Sequence, residues 1–201
     1  MTTFITPPVR LRNTDREALA THFLALDSDD RRLRFGAPIS DHAILQLEER
    51  IDFERDELFG IADDDLRLIG VVHVAFYPDK AELGLSVLPA ARGLGVGNAL
   101  FERAVMHLTN RGVREVFVHC LSENGAMMHL ASKHGMRVVR EGTETDAYLE
   151  LPRPTPGSVF VEWFQEKQAD AVHLLRRQMA LTRSILSIYS APVPRPSLRR
   201  P

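Results

Sequence analysis

The sequence predicts one α/β domain, with helices flanking a mixed central sheet, followed by a helical C-terminal extension. The apolar pattern gives helices first, then an antiparallel meander, then strand, helix, strand, helix and closing strands. A glycine-rich turn joins a strand-like run to a helical run at residues 92–97. Three prolines between residues 152 and 156 interrupt the chain before a last helical run. With 201 residues, the chain has room for one substantial core and an appendage.

The first half of the chain supplies the opening helices and the meander. Val9–Arg12 is a predicted strand, and Thr14 or Asp15 is the expected cap of a helix that carries Leu19 and Phe23. The next predicted elements are a charged turn or helix at 27–35, a helix at 41–53, and hairpin strands at 58–62 and 66–76. The Arg31–Arg34 cluster is a solvated face or part of the lining of an acceptor site.

The stretch Arg92–Gly97 follows the predicted strand Ala81–Leu88 and precedes the helical run 98–106. Glycines let the backbone approach a ligand closely, and the first N–H groups of a helix attract anions. We therefore expect a phosphate-bearing ligand there. The dinucleotide fingerprint needs a small residue where Asn98 or Leu100 stands, and no Gly-Lys-Ser/Thr follows, so both common nucleotide motifs are excluded.

A second block supports a more specific interpretation. A Val- and Phe-rich strand at 114–121 is followed by a short helical run that ends at Gly135. This run resembles the Asn-x-x-Ala-x-x-Leu-Tyr-x-Lys-x-Gly-Phe block of the GNAT superfamily of N-acetyltransferases, and Arg-x-x-Gly-x-Gly at 92–97 resembles the coenzyme A pyrophosphate loop of that superfamily. The resemblance is specific over residues 66–151. It fits at Asn124, Leu130, Lys133 and Gly135 and departs at Met127, Ala131 and Met136.

The resemblance implies the GNAT (acyl-CoA N-acyltransferase) fold and acetyl-CoA as cosubstrate. It assigns the pantetheine arm to the strand end, with Asn124 on the other side, and the phosphates to the glycine loop, with Lys133 near them. The implied cofactor-binding residues are Ser86, Val87, Leu88, Arg92, Gly93, Leu94, Gly95, Val96, Gly97, Asn98, Asn124 and Lys133. The eight histidines form no metal-ligand pattern, so no metal is expected.

The strand position of Glu82 resembles that of the glutamate before the pyrophosphate loop in several GNAT enzymes, which makes Glu82 the candidate catalytic base that deprotonates the acceptor amine. Alternation places it on the same strand face as Gly84 and Ser86. The alternative is a salt-bridged strand residue that faces solvent. The family often has a Tyr acid at the position of Ala131, so here the departing thiolate needs another proton source: water, or one of Ser122, Cys120, His119 and Tyr148.

The C-terminal segment reads as a linker, a helix and a disordered tail. Pro152–Gly157 is the predicted linker, Ser158 the predicted cap, and Ser190–Ser197 part of the tail. The predicted helix reaches about Ile188 and carries an apolar stripe of Phe160, Phe164, Ala171, Leu175, Met179 and Leu186, flanked by Leu174, Leu181 and Ile185. This stripe and Trp163 are expected to pack back onto the domain or to form a homodimer seam. The predicted domain limits are 1–151 and 152–201.

Bulk properties restrict the partners and the compartment. The net charge of −2 gives no general attraction to nucleic acid or anionic membrane. No apolar run approaches the length of a membrane span, no signal peptide is evident, and the lone Cys120 suits a reducing compartment, so cytoplasm is expected. The acceptor stays open among small amines, peptide N-termini and lysines.

Two functions remain. The first is an N-acetyltransferase in which an amine attacks acetyl-CoA directly, and Glu82 favours it. The second is a catalytically weakened acetyl-CoA sensor or assembly module with the same fold, and Ala131 favours it.

Overall fold

The computed structural model describes residues 6–189, with side chains up to Met179. The predicted disordered tail at Ser190–Ser197 lies outside the described residues. Seven strands form one sheet in the order β1-β2-β3-β4-β5-β7-β6. The elements are β1 Val9–Leu11, α1 Arg16–Leu24, α2 Ser28–Phe35, α3 Asp41–Glu49, β2 Glu57–Ala62, β3 Leu68–Phe76, β4 Lys80–Val87, α4 Val96–Asn110, β5 Glu115–Leu121, α5 Gly125–Lys133, β6 Arg137–Glu141, β7 Glu144–Glu150 and α6 Pro156–Tyr189.

The sheet is mixed, as the sequence predicts. β4 and β5 pair in parallel, and the other neighbouring strands pair antiparallel. A parallel pair needs a crossover connection, and here α4 provides it. One apolar core packs between the sheet and α4 and α5, and a second packs between the sheet and α1 and α3. The central strands are therefore covered on both faces, and the fold prediction is confirmed.

The third helix ends at Glu49, earlier than the predicted Phe53. The guanidinium of Arg16 donates to the carbonyl oxygens of Glu48 at 2.7 Å and Ile51 at 2.8 Å. A continuing helix would need these carbonyls for its own backbone bonds. A side chain from α1 therefore competes for the end of α3, which local propensity does not reveal.

The charged segment at 27–35 is a helix, α2. The Asp27 carboxylate caps it by accepting from the Asp30 N–H at 2.8 Å, and Gly36, with φ +77°, ends it in the left-handed region. α2 contacts β4 and β5 on the face opposite α4. Ion pairs of Asp30 with Arg92 and of Arg32 with Glu123 hold it there.

The last helix begins two residues before the predicted cap. Pro156 occupies the first helical position, where a missing N–H costs nothing. Thr155 and Ser158 exchange side chain–backbone bonds of 3.1 and 3.0 Å, so Thr155 caps the helix and Ser158 supports it from the first turn. The prediction of Ser158 as the cap is wrong because the permissive Pro156 lets the helix start earlier. No helix of the described part is both long and apolar enough to cross a membrane.

α6 contacts the domain through a polar face. The Glu162 carboxylate accepts from Arg103 at 2.7 Å, His107 at 2.6 Å and Asn110 at 2.7 Å, and Ala169 is buried further along the helix. His107 also contacts Glu57 of β2. These polar residues, hereafter the Glu162 cluster, join α6 to α4 and the sheet.

The apolar stripe of α6 points the other way. Phe160, Trp163 and Phe164 are 64%, 54% and 56% exposed, and Leu174, Leu175 and Met179 are also exposed. Residues advance by about 100° on a helix, so the stripe lies opposite Glu162 and Ala169. Of the two expected arrangements, packing back onto the domain is therefore wrong, and the homodimer seam stays a prediction. The predicted members Leu181, Ile185 and Leu186 lie outside the residues whose side chains are described.

We expect Glu162→Gln to lower the free energy of unfolding by about 3 kcal/mol near pH 6, the cost of removing one member of a buried ion pair. Burial favours the neutral acid, but bonds from His107, Asn110 and Arg103 outweigh it and lower the pKa of Glu162 from 4.5 to about 2. This carboxylate stabilises the fold above pH 4.5, and the contribution is lost as the pH falls towards 2. Chemical denaturation should therefore show a smaller wild-type advantage at pH 3.

The raised pKa of His107 predicts how the stability changes at alkaline pH in the same experiment. Burial alone would lower its pKa, but contacts with Glu162 and Glu57 raise it above 6.5. Its contribution is present below pH 6.5 and is lost as the pH rises through the raised pKa. Glu166→Gln, one turn along α6, is the matched control and should change stability by less than about 0.5 kcal/mol. An equal loss for both variants, or a pH-independent Glu162→Gln effect, would contradict this role.

Candidate functional site

β4 and β5 separate in the middle of the sheet. They pair only from Lys80–Glu82 to Glu115–Phe117, although the strands continue to Val87 and Leu121. Beyond Glu82 they form a V-shaped gap, hereafter the strand gap. Backbone N–H and C=O groups that face the strand gap have no hydrogen-bond partner on a neighbouring strand. Such groups are normally paired in a folded protein. The strand gap is therefore a place where an extended, amide-bearing ligand can lie between two strands.

The backbone register decides which predicted pantetheine contacts are free. The Leu88 N–H donates to the Ile69 carbonyl at 2.9 Å, so it is already engaged. Alternation then turns the Ser86 N–H towards β3 and the N–H groups of Leu85 and Val87 towards the strand gap. Of the three predicted residues, Val87 is the one whose N–H faces the gap, and Leu85 joins it.

The glycine loop forms the other end of the site. Gly93 and Gly95 have φ +72° and +87°, which favour glycine, and Gly95 is the uncapped residue before α4. The first N–H groups of α4, from Val96 to Asn98, have no side-chain cap. A Cβ added at Gly97 would lie 3.6 Å from Leu85 and 3.7 Å from Val87, so the start of α4 sits beside the strand gap. These orphan donors suit a phosphate.

Some of the side chains around the glycine loop already have partners in the domain. Arg92 is half-exposed and pairs with Asp30 of α2. The Asn98 side chain accepts from His134 Nε2 at 3.0 Å. Leu94 is exposed, Val96 is buried, and Lys133 is exposed in the last turn of α5. Asn124 caps α5 by accepting from the Met127 N–H at 3.1 Å, which leaves its amide donors directed elsewhere.

Glu82 lies where β4 and β5 part, on the α1 and α2 side of the sheet. Its carboxylate accepts from the Tyr77 hydroxyl at 3.1 Å, a contact that sequence reasoning missed. Ser86 lies on the same face and donates to His22 Nε2 at 2.8 Å, while His22 Nδ1–H donates to the Leu68 carbonyl at 2.8 Å. Burial lowers the pKa of His22 to about 4, so this histidine is neutral at pH 7. The Ser86 side chain is thus engaged, away from a ligand.

The four candidate proton donors differ sharply in their surroundings. Burial raises the pKa of Cys120 to about 11, and this thiol lies in the core. Ser122 Oγ is 2.8 Å from Thr145 Oγ1, at the turn into β7. His119 Nδ1–H donates to Asp146 at 2.7 Å, and this bond raises the pKa of His119. The Tyr148 hydroxyl donates to the same aspartate at 3.1 Å.

His119 also has the right position. It stands two residues beyond Phe117, the β5 partner of Glu82, so it lies on the β5 side of the strand gap and on the Glu82 face. Ala131, at the family tyrosine position, has no exposed surface and packs in the core. No described group of three or more His, Cys, Asp or Glu residues is arranged to hold a metal.

Residues 22–136 match the sequence pattern of the Acetyltransferase (GNAT) family. The chain belongs to this family. An uncharacterized N-acetyltransferase of Chlorobaculum tepidum is 41% identical over 78 residues, which are 38% of this chain and 49% of that protein. The chain therefore spans about half the length of this curated relative.

Solved structures share the GNAT fold. The GNAT domain of S. lividans PAT superposes with a TM-score of 0.60 at 23% identity, covering 72% of this chain and 88% of that one. The PaiA N-acetyltransferase of Thermoplasma acidophilum, solved in complex with coenzyme A, gives a TM-score of 0.54 at 18% identity, covering 70% and 95%. At these identities the likeness shows the fold, which agrees with the mixed sheet and its strand gap.

We expect Gly95→Glu to weaken acetyl-CoA binding at least 10-fold. Any side chain at φ +87° is strained, and a carboxylate at the start of α4 repels phosphate. Calorimetry with acetyl-CoA measures the effect. Gly112→Glu is the matched control, because Gly112 has φ +75° and open space but lies at the far end of α4. Equal affinities for Gly95→Glu and wild type would place the cofactor elsewhere.

Proposed function

We propose that the protein is an N-acetyltransferase that transfers the acetyl group of acetyl-CoA to an amine by direct attack. The observation that carries this proposal is a carboxylate, Glu82, at the point where β4 and β5 separate beside an uncapped helix start. The strand gap offers backbone donors to an amide-bearing arm, and the start of α4 offers donors to phosphate. Family membership supports acetyl-CoA as the cosubstrate.

Binding divides between the two ends of the site. The glycine loop and the first N–H groups of α4 bind the pyrophosphate, with Arg92 beside them and Lys133 at the rim. The N–H groups of Leu85 and Val87 bind the pantetheine arm, and Asn124 faces it from the β5 side. The thioester then lies in the strand gap near Glu82, where backbone donors stabilise the oxyanion that forms in the transition state.

In the chemical step, the amine nitrogen bonds to the thioester carbonyl carbon, and the carbon–sulfur bond breaks. The amine must lose a proton for this, and Glu82 accepts it. The Tyr77 hydroxyl orients the Glu82 carboxylate through the 3.1 Å bond. The departing thiolate takes a proton from His119, whose bond to Asp146 favours the protonated ring. Water is the alternative donor.

The second candidate function is an acetyl-CoA-binding sensor or assembly module. The buried Ala131 favours it, because the residue that often acts as the acid in the family is absent. A sensor would bind acetyl-CoA without releasing thiol in the presence of any amine.

The classes of acceptor that we propose are small-molecule and peptide amines. We also propose a cytoplasmic location, supported by the lone buried Cys120.

The domain limits that we propose are 1–151 for the acetyltransferase domain and 152–201 for the extension. Their support is the loop between β7 and α6, which precedes the capped start of the last helix. The extension nevertheless packs on the domain through the Glu162 cluster, so we regard it as a docked appendage.

We expect Glu82→Gln to lower kcat by about 10²–10⁴-fold with little change in acetyl-CoA affinity, the range for loss of a general base. A free-thiol assay across a panel of amines measures it.

His119→Asn should remove the alkaline limb of the pH–rate profile, because the rate falls as the acid loses its proton. That limb lies above pH 6.5, since the pKa of His119 is raised.

The exposed Glu150→Gln on β7 is the control and should leave the rate unchanged. If Glu82→Gln leaves kcat unchanged, and also leaves unchanged the fall of the rate at acid pH, Glu82 is a structural residue. Tight acetyl-CoA binding with no thiol release from the wild-type protein would favour the sensor.

We propose that a second copy of the chain covers the exposed stripe of α6. The apolar residues Phe160, Phe164, Ala171 and Leu174 are exposed on one side of the helix, at spacings of four, seven and three. Such spacings let them pack against the same residues of a second α6, as in a coiled coil, with Lys167 as a charged interruption of the seam. The polar face of α6 is occupied by the domain, which leaves the stripe free for such a partner.

We expect the wild-type protein to sediment as a dimer and Phe164→Glu as a monomer, because a carboxylate in the seam is unpaired when the helices meet. Gln168→Glu adds the same charge at an exposed position beside the seam and should remain a dimer. Acetyl-CoA affinity should be equal in all three. A monomeric wild type, or a dimeric Phe164→Glu, would refute the seam.

A further inference from the structure

The guanidinium of Arg34, in the last turn of α2, lies flat on β4 at Gly84. A Cβ added at Gly84 would come within 2.3–2.6 Å of three guanidinium atoms, so the guanidinium fills the space that a side chain would take. Gly84 is two residues beyond Glu82 and faces the same side of the sheet. Arg34 is therefore placed beside the strand gap, on the side from which an acceptor approaches Glu82.

Arg34 carries an unpaired charge within the described part of the chain. Its Nε is buried without a hydrogen-bond partner among residues 6–179, and no described carboxylate forms an ion pair with it. The rings of Phe23 and Phe35 lie 6.0 and 5.1 Å from its charged carbon. By contrast, Arg31 pairs with Asp41 and Arg32 with Glu123. The third arginine of the cluster is thus the unsatisfied one.

An unpaired cation in such a place is costly unless an anion joins it. Burial lowers the pKa of Arg34 to about 10, with the charge of Glu82 acting in the opposite direction, so the guanidinium stays charged at neutral pH. The carboxylates nearby do not pair with it: Glu82 acts on it through its charge without an ion pair, Asp30 pairs with Arg92, and Asp56 bonds to His73 at 2.9 Å. His22 is neutral. The cofactor phosphates have their own donors at the start of α4. The missing anion therefore belongs to the acceptor.

The spacing of Glu82 and Arg34 defines this acceptor. The Arg34 guanidinium lies at Gly84, and residues two apart on a strand, such as Glu82 and Gly84, are about 6.7 Å apart along the backbone. This short spacing favours an acceptor whose amine and carboxylate are close together, separated by one or two carbons. Glu82 and Arg34 also form a negative–positive pair that mirrors the charges of an amino acid zwitterion. A polyamine would place a second cation against Arg34.

We propose that Arg34 binds the carboxylate of the acceptor, and that the acceptor is a free amino acid. This inference rests on the proposed acetyltransferase function. The planar fork of arginine donates two parallel bonds to a carboxylate, which fixes the amine towards Glu82. Arg34 is thus a specificity-determining residue, while Glu82 acts on the proton.

The experiment compares amino acids, their carboxamides, simple alkylamines and short peptides in the thiol-release assay. Wild type should prefer each amino acid over its carboxamide by about 10- to 100-fold in kcat/KM, the effect of losing charge-assisted bonds. Arg34→Met should abolish this preference through KM and leave the KM for acetyl-CoA unchanged. Arg34→Lys should retain part of it. Gly84→Ala, which displaces the guanidinium while keeping Arg34, should act like Arg34→Met.

Arg50→Met, at an exposed position after α3, is the matched control and should keep the preference. Equal rates for amino acids and carboxamides in wild type would overturn the acceptor assignment and leave the acetyltransferase intact. A preference for peptides over free amino acids would also overturn it. If no amine supports turnover, calorimetry of amino acids against the coenzyme A complex decides: binding that Arg34→Met abolishes supports the carboxylate site, and its absence overturns it.

Discussion

The separation of β4 and β5 is the constraint on which the rest of the structure depends. Three paired residues hold the strands together, and beyond Glu82 each strand has another neighbour on its outer side. The sheet remains continuous on either side of this opening because β4 still pairs with β3, and β5 still pairs with β7. Both the start of α4 and the face of β4 that α2 covers border the opening. An extended, amide-bearing ligand between the strands would thus pair with backbone groups that the open sheet leaves without a strand partner.

Local sequence signals predicted the fold and the glycine loop between a strand and a helix, because glycine loops, caps and alternation act over a few residues. Gly93 and Gly95 adopt left-handed backbone, and alternation gives the strand face of Glu82. The anion site and the role of Glu82 stay predictions. The contact of Arg34 with Gly84 was not predictable, since residues 50 positions apart in sequence meet only after the sheet and α2 have packed. Tyr77 and Glu82 are only five positions apart, but their bond depends on side-chain orientations at the turn between β3 and β4, which alternation does not give. The direction of the apolar stripe of α6 stayed open between two alternatives for a related reason: amphipathicity identifies an apolar side but does not say which side the domain occupies.

Histidines in this molecule show how surroundings, more than residue type, set charge. His22 has only a carbonyl and a hydroxyl as neighbours, so burial makes it neutral. His107 is also largely buried, but it lies between two carboxylates and is favoured in the charged form. The first ring fixes the position of the Ser86 side chain on β4 without adding charge there. The second contacts Glu162 and so holds α6 on the domain.

The two faces of α6 differ in their sensitivity to salt. The helix is about 51 Å long, as 34 residues rise by 1.5 Å each. Its inner face is held by the charged Glu162 cluster, which is largely buried and is therefore only weakly screened by dissolved ions. Its outer face is aromatic and aliphatic, and excluded salts such as sulfate strengthen the burial of such surfaces. Added sulfate would therefore favour contacts on the far side of the helix while the helix stays attached to its own domain, so the solvent alone shifts the degree of intermolecular packing.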